Sequence, residues 1–260
     1  MNRRERGAAM LIALGGLALI SALAAAALSL ATAPTARAVA AEERARATRA
    51  AEAAIHRLAA AMAQRELRAS APMDGTVIST AFLGAEIDFA AQDAAGLVDL
   101  NMADREVIER LLAATGADRP AVLTSALIEA RESRERRAGF ASHAEIAALL
   151  SDAPEAFFDH ATVWSGRATV DPWTATAPAF AAAADVPLEA AQRFVADRLL
   201  NGRRAGLPER ADLSALAVSE GEIARITVRA ETEGGGRAEA VATLRATSSP
   251  RAPVTILSWR

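Results

Sequence analysis

The chain carries few residues of the types that catalysis or metal binding requires. Its three histidines, His56, His143 and His160, fall in separate predicted helices and share no spacing of the kind that zinc ligands show. It has no cysteine, which excludes thiol chemistry and disulfide bonds. The histidines are therefore expected to have structural or surface roles.

Two further patterns that can mark an active site are incomplete. The run Gly234-Gly235-Gly236 lacks the lysine and the following helix of a phosphate-binding loop. Ser165 precedes Gly166, but it does not lie in a nucleophile-elbow pattern. We expect that the protein is not an enzyme, and the sequence predicts no catalytic, cofactor-binding or metal-ligating residue.

A predicted pair of helices resembles the helix-hairpin-helix arrangement of some DNA-binding proteins. This resemblance gives one interpretation of the chain, a membrane-anchored DNA receptor, which is the alternative to the interpretation developed below. The first helix is predicted from Asn101, as N-cap, to a stop at Gly116, and the second from Pro120 to about Arg136, with Val122 among its inward residues. A DNA-binding hairpin presents glycine backbone to phosphate, whereas the turn here contains Asp118, which repels phosphate. Glutamates separate the nearby arginines, which favours a solvated helix face. Those arginines are Arg131, Arg134, Arg136 and Arg137.

The N-terminal stretch organises the chain. A charged head ends at Gly7, and residues 8–32 contain no charged residue. Roughly 24 residues of helix measure about 36 Å, enough to cross a hydrocarbon core of about 30 Å. The arginines ahead of the stretch predict a cytoplasmic N-terminus and an exported body. Pro34 is expected to break or kink the helix.

A cleaved secretory signal is the competing interpretation of the same stretch. Small-residue steps at 36–38 and 38–40 suit signal peptidase, and cleavage there would give a chain that starts near residue 39 or 41. The apolar region is long for a signal peptide, whose apolar region runs about 7 to 15 residues. Length therefore favours a retained membrane span, and both interpretations export the body.

The leader resembles the class III signal of type IV pilins and type II secretion pseudopilins. In that family a prepilin peptidase cuts after the glycine, here Gly7, and methylates the new N-terminus, here Ala8. The family's glutamate at the fifth mature position is replaced here by Ile12. Since a buried carboxylate in lipid needs a partner, a subunit without it suits the tip of a filament, where no subunit lies above it.

The remaining pattern predicts an α+β fold. An alanine-rich helix to about Arg68 places Ile55, Leu58 and Met62 at spacings of three and four, which suits packing against a sheet. Strands are predicted at 76–82, 85–89, 223–230, 238–246 and 254–259. Helices are predicted between them, one capped by Ser142 and one running from Asp185 or Val186 to Asn201. One antiparallel sheet packed on the N-terminal helix is the expected architecture.

Several segments in order resemble the K-type minor pseudopilin of the type II secretion system. In that family a helical domain is inserted into the pilin sheet after a Gly-x-x-Asp-Leu-Asn segment, which residues 96–101 match. Residues 162–167 and 170–175 resemble the family's return strand and loop, and residues 254–259 resemble its last strand. The likeness covers most of the chain, although the chain is short for the family.

This resemblance implies a role at the tip of the pseudopilus, where the protein would nucleate and cap the filament during protein export. It implies as partners the I-type and J-type minor pseudopilins, the inner-membrane secretion platform and the prepilin peptidase. It implies a single-pass inner-membrane protein with a periplasmic body. The family also makes a calcium site possible; Asp152, Asp159 and Asp171 lie near predicted loops, but they lack the spacing of an EF-hand.

The domain organisation expected from all these features has five parts. They are a leader at 1–7, a transmembrane helix at 8–32, a stalk and packing helix at 33–70, a sheet formed by 71–98 with 220–260, and a mainly helical insert at 99–219.

Overall fold

A computed structural model describes the backbone of residues 3–64, 71–134, 139–219, 221–249 and 251–260. Within the long first helix it describes the side chains of residues 14, 16–25, 35 and 37–64, and the side chain of residue 134 is not described. Gly7, Ala8 and Ile12, to which the sequence assigns processing and the tip position, lie in the part of this helix whose backbone is described and whose side chains are not.

The N-terminal helix α1 (Arg3–Ala63) is one continuous element. It continues through Pro34, so the helix does not break at that residue, and a kink there stays a prediction. A proline removes only one hydrogen bond from a helix, and the alanine-rich sequence on both sides has the highest helix propensity. The predicted end at about Arg68 lies outside the described residues.

The body contains one antiparallel sheet of five strands in the order β1-β2-β5-β6-β7. Its strands are β1 (Asp74–Phe82), β2 (Ala85–Asp93), β5 (Ile223–Thr232), β6 (Arg237–Ala246) and β7 (Val254–Trp259). The fold is therefore α+β, as the sequence predicts. Every predicted strand is present, and β2 continues four residues beyond its expected end at Phe89.

The second half of α1 packs on this sheet, mainly against β5 and β6. Its buried side chains recur every three or four residues along one face. Most are alanines, so the helix axis can approach the sheet closely, and Ile55 and Met62 fill the wider gaps, as predicted. The buried residues of this face are Ala47, Ala50, Ala51, Ala54, Ile55 and Met62.

A mainly helical insert, residues 94–222, lies between β2 and β5, which are hydrogen-bonded neighbours in the sheet. It has its own hydrophobic core, built around Phe157 and Phe180. Its elements are β3 (Val98–Asp99), α2 (Arg105–Ala114), α3 (Pro120–Arg134), α4 (His143–Leu149), α5 (Glu155–Asp159), β4 (Ala161–Thr162), α6 (Ala177–Ala184) and α7 (Leu188–Asn201). Strands β3 and β4 pair in parallel as a separate two-stranded sheet.

Three local predictions within the insert are wrong. Asp104, not Asn101, is the N-cap of α2, and Asn101 makes tertiary contacts instead. Asp185 takes a left-handed conformation that ends α6, and Pro187 is the N-cap of α7. Val122 points outward, with 57% of its surface exposed.

Candidate functional site: the junction of sheet and insert

The segments that carry the K-type resemblance meet at the junction between the sheet and the insert. Residues 96–101 form β3 and the turn after it, and β3 pairs with β4, which leads into residues 162–167. Val98 and Leu100 donate backbone hydrogen bonds to His160 and Thr162. The motifs, although distant in sequence, are therefore one structural unit.

Asp99 is the centre of this unit, with 1% of its surface exposed. Its carboxylate accepts hydrogen bonds from the Ser165 hydroxyl at 2.8 Å, from Gly166 N at 2.7 Å and from Asn101 N at 2.9 Å. Burial raises the pKa of the Asp99 carboxyl above its ordinary value, and these hydrogen bonds oppose that rise. Ser165 is thereby held as a hydrogen-bond donor to a structural carboxylate.

Asn101 joins the same unit to the start of α4. Its side chain donates to the carbonyls of Phe140 and Val163, both at 3.0 Å, and accepts from Phe140 N at 2.8 Å. Gly139 packs so closely on Asn101 that a Cβ there would lie 2.6 Å from Oδ1. The Asn101 amide thus supplies hydrogen-bond partners for backbone groups of these loop segments, which have none in a helix or strand.

Gly96 and Asp171 hold the loop that follows residue 167. A Cβ on Gly96 would overlap the carbonyl group of Thr174, so only glycine fits there. Asp171 is 2% exposed, and its carboxylate accepts from Trp173 N and Ser219 N. The glycine and the aspartate therefore have packing and capping roles.

Three polar side chains tie the insert to the sheet. Gln92 on β2 donates to the Thr174 carbonyl at 2.7 Å. Arg198 on α7, 4% exposed, donates to the carbonyls of Pro172 and Ala175 and lies 3.9 Å from the carboxylate of Asp74. Burial lowers the pKa of Arg198, and the carboxylates of Asp74 and Asp171 oppose that effect.

Arg225 on β5 is the third side chain that joins the insert to the sheet, and it makes the most hydrogen bonds of the three. Its guanidinium donates to the carbonyls of Phe158 and Asp159 at 3.1 Å and to that of Ala161 at 2.5 Å. The first two carbonyls lie at the C-terminal end of α5, where a helix attracts positive charge, and that of Ala161 lies at the start of β4. Burial lowers the pKa of Arg225 to about 10.

The histidines lie beside this junction or outside it. His143 packs against Trp164 with ring centroids 5.0 Å apart, and burial together with Arg225 and Arg260 lowers its pKa to about 3. His160 lies 3.0 Å from the Thr176 hydroxyl, and burial lowers its pKa. His56 is exposed on α1 near Trp259.

The aspartates considered for calcium do not come together. Asp171 binds backbone amides, Asp152 pairs with Arg119 at 3.0 Å, and Asp159 is exposed. Among the residues that the structure describes, no three histidine or carboxylate side chains could hold a metal ion together.

Two arginines of the hairpin formed by α2 and α3 contact other residues of the same chain. Arg119, in the turn, forms its ion pair with Asp152. Arg131 donates to the Ala103 carbonyl at 2.7 Å, which directs its guanidinium toward the chain itself. The side chain of Arg134, together with Arg136 and Arg137, lies outside the described residues.

The first half of α1 exposes large apolar side chains. Leu14, Leu17, Leu19, Ile20 and Leu23 are each between 54% and 66% exposed. Over the described side chains, however, no helix has an apolar stretch that reaches the length and hydropathy of a membrane span.

No protein-family model matches this chain, and no curated protein matches it. The chain is similar to a solved structure. That structure is the crystal structure of the GspK-GspI-GspJ complex from the type 2 secretion system of enterotoxigenic Escherichia coli. The similarity covers 93% of this chain and 98% of the other, with 12% sequence identity and a TM-score of 0.47. A similarity of this size does not by itself assign a role to the chain.

Proposed function

We propose that this protein is a minor pseudopilin of the K type that acts at the tip of a type II secretion pseudopilus. The observation that carries the proposal is the architecture of the chain itself. A helical insert lies between two neighbouring strands of an antiparallel sheet, and that sheet packs on the second half of one long N-terminal helix. The motifs that resemble the K type, at 96–101 and 162–167, are joined to each other within the insert by the hydrogen bonds of Asp99.

In this proposal the first half of α1 is the assembly element. Residues 8–32 are uncharged and would lie in the inner membrane, where they pack against the equivalent helices of I-type and J-type pseudopilins. The arginines before residue 8 keep the N-terminus in the cytoplasm, and the body lies in the periplasm. The insert adds bulk to the sheet and would block the addition of a further subunit above it, so that the protein both nucleates and caps the filament.

Maturation provides the first test. Mass spectrometry of the protein extracted from membranes should show a chain that starts at N-methylated Ala8, as cleavage after Gly7 requires. A mature chain that starts near residue 39 or 41 would show an ordinary signal peptide and would remove the anchoring helix from the proposal.

Position in the filament provides the second test. If the protein is the tip subunit, Ile12→Glu should leave assembly with the I-type and J-type subunits intact, because no subunit above needs this position. Co-purification from detergent extracts measures assembly. A large gain or loss of assembly on this change would place the subunit within the filament instead.

A further inference from the structure

Strand β1 is an unprotected edge of the sheet. Residues 76–82 contain no charged residue and no proline, and they are rich in β-branched and apolar types. In the part of the chain that the structure describes, these residues make backbone-to-backbone hydrogen bonds only with β2. Val77 on this edge is 59% exposed. Natural sheets usually protect such edges with lysine, proline or a bulge; the irregularity of β1 lies between Asp74 and Val77, and the pairing from Val77 to Phe82 is regular.

The turn after β1 carries a second unusual residue. Leu83 and Gly84 form a two-residue hairpin loop with φ of 52° and 72°. Such loops favour asparagine or aspartate followed by glycine, because a branched apolar side chain in the left-handed region is strained. Leu83 is also 61% exposed. Neither the strain nor the exposure benefits the isolated chain, so both suggest a role in contact with another molecule.

An acidic groove of about 620 Å³ spans the ends of β1, β2 and β5 beside the turn that contains Leu83. It is lined by β1 residues 79–81, by Gly84 and by the carboxylates of Glu86, Glu231 and Glu233. All three glutamates are exposed, and Glu231 forms an ion pair with Arg237 at 2.7 Å. The charge of the groove therefore selects a partner that brings basic side chains.

We propose that the β1 edge, Leu83 and the acidic groove together form a docking surface for an extended segment of another pseudopilin. The segment would add its backbone to β1, cover Leu83 with apolar side chains and place a lysine or arginine in the groove. This inference rests on the proposed function, because it takes the partner from the same filament.

The test uses four versions of the full chain, each co-expressed with the I-type and J-type pseudopilins of the same bacterium. Val77→Lys places a charge on the edge. Its matched control is Val122→Lys, since Val122 is 57% exposed but lies on α3 in the insert. Leu83→Asn removes the apolar contact and gives the turn its preferred residue. The wild-type chain is the fourth version, and co-purification after detergent extraction is quantified.

We expect Val77→Lys and Leu83→Asn each to weaken co-purification by about tenfold, while Val122→Lys behaves as the wild type. Leu83→Asn should at the same time raise the unfolding temperature of the isolated chain by roughly 1–3 °C, since it relieves strain. Weaker binding with higher stability separates a docking role from a structural one.

The other outcomes overturn the proposal in distinguishable ways. If all four versions co-purify equally, the docking surface is wrong and the proposed function stands. If Val122→Lys fails as well, the effect does not belong to β1. If the wild-type chain does not co-purify, the proposed function fails and the docking surface fails with it. If the wild-type chain pairs with itself through β1, the occupant is a second copy, which contradicts the proposal.

Discussion

Single buried polar residues hold the insert together, and Asp99 is the residue on which most of the junction depends. Three hydrogen-bond donors from the chain converge on its carboxylate, and its own backbone pairs with β4. A carboxylate in this environment organises two loops at once, because each donor belongs to a turn that has no other regular structure. Asp99 therefore has a structural role, and two of its hydrogen-bond partners are distant in sequence.

Replacement of Asp99 should be costly. In Asp99→Ala the half-buried Ser165 hydroxyl and the Gly166 amide lose the buried carboxylate that accepts their hydrogen bonds, so we expect the free energy of unfolding to fall by about 1–3 kcal/mol. Urea unfolding of the detergent-solubilised chain, followed by tryptophan fluorescence, measures this. Asp152→Ala is the control, since its ion pair with Arg119 is about two-thirds exposed on both sides and should contribute less than about 1 kcal/mol. Equal losses in the two variants would contradict the assigned role.

His143 predicts how stability depends on pH. Its pKa is about 3 in the folded protein against an ordinary 6.5, so between these values the unfolded chain binds more protons and stability falls as pH falls. For this histidine alone we expect a loss of roughly 1–1.5 kcal/mol between pH 6.5 and pH 5. His160, whose pKa is also lowered, acts in the same direction.

His143→Phe keeps an aromatic ring against Trp164 but cannot titrate. It should reduce the loss of stability between pH 6.5 and pH 5, and the two proteins should be about equally stable at pH 7.5. Unfolding titrations at these three pH values provide the measurement. An unchanged slope in His143→Phe would show that His143 is protonated in the folded state.

At the scale of elements, the turn between β5 and β6 fixes where α1 crosses the sheet. Gly236 lies so close to the helix that a Cβ would overlap the backbone carbonyl of Glu43 and lie 2.8 Å from Arg44 N. A Cβ on Gly234 would meet the side chain of Glu43 at 2.5 Å. From the sequence, the three glycines could only be excluded as a phosphate-binding loop. The structure shows that Gly234 and Gly236 are needed because α1 packs directly against this turn.

Gly236→Ala should force the turn and α1 apart. We expect a loss of about 1–3 kcal/mol in the free energy of unfolding, because backbone on both sides must shift. Gly206→Ala is the matched control, since a Cβ there has open space and no strained backbone angle. Thermal unfolding of both variants measures the difference. If Gly236→Ala is as stable as the wild type, α1 is not held against this turn.

The sequence predicts a helix or strand well where apolar residues recur on one face of it and polar residues on the other. The strand at 223–232 and the stripe of α1 have this periodicity, while Ser142 is identified by its cap pattern. Helix α6 does not, because its alanines are buried on all sides and give no polar face to detect. The short parallel pair β3 and β4 carries too few residues for any pattern.

The junction could be predicted only in part. The resemblance identifies residues 96–101 and 162–167 as belonging together, but it does not state which atoms meet. Asn101 has the residue type and position of a helix cap, and only its contacts with Phe140 and Val163 show otherwise. The ties of Arg198 and Arg225 join residues more than 20 positions apart, which local sequence reasoning does not detect.

At the scale of the whole molecule, Arg225 connects the two hydrophobic cores. It lies on the face of β5 opposite α1, and its guanidinium satisfies three carbonyls at the end of α5 and the start of β4. Arg225 is half-buried, and because its three charge-assisted hydrogen bonds form in only one arrangement, it specifies how the insert sits on the sheet. Gln92, through the Thr174 carbonyl, and Arg198, which lies 3.9 Å from the carboxylate of Asp74, support the same orientation from two other positions.

Arg225→Met should uncouple the insert from the sheet. We expect a loss of about 2–4 kcal/mol and an unfolding curve with two transitions where the wild type shows one. Arg229→Met is the control, because Arg229 lies on the same face of β5 but forms an exposed pair with Glu239, so its loss should cost less than about 1 kcal/mol. A single transition in Arg225→Met would mean that the two cores unfold together without this tie.

The insert leaves β2 after Asp93 and returns to β5, where Ala224 is paired with that same Asp93. The two ends of the excursion are thus only one strand spacing apart, about 5 Å. A short glycine-containing linker could close this gap, and the five strands would then follow one another as a simple meander. The insert can therefore be lengthened, exchanged or deleted, in evolution or by design, while the five-stranded sheet keeps its backbone hydrogen bonds.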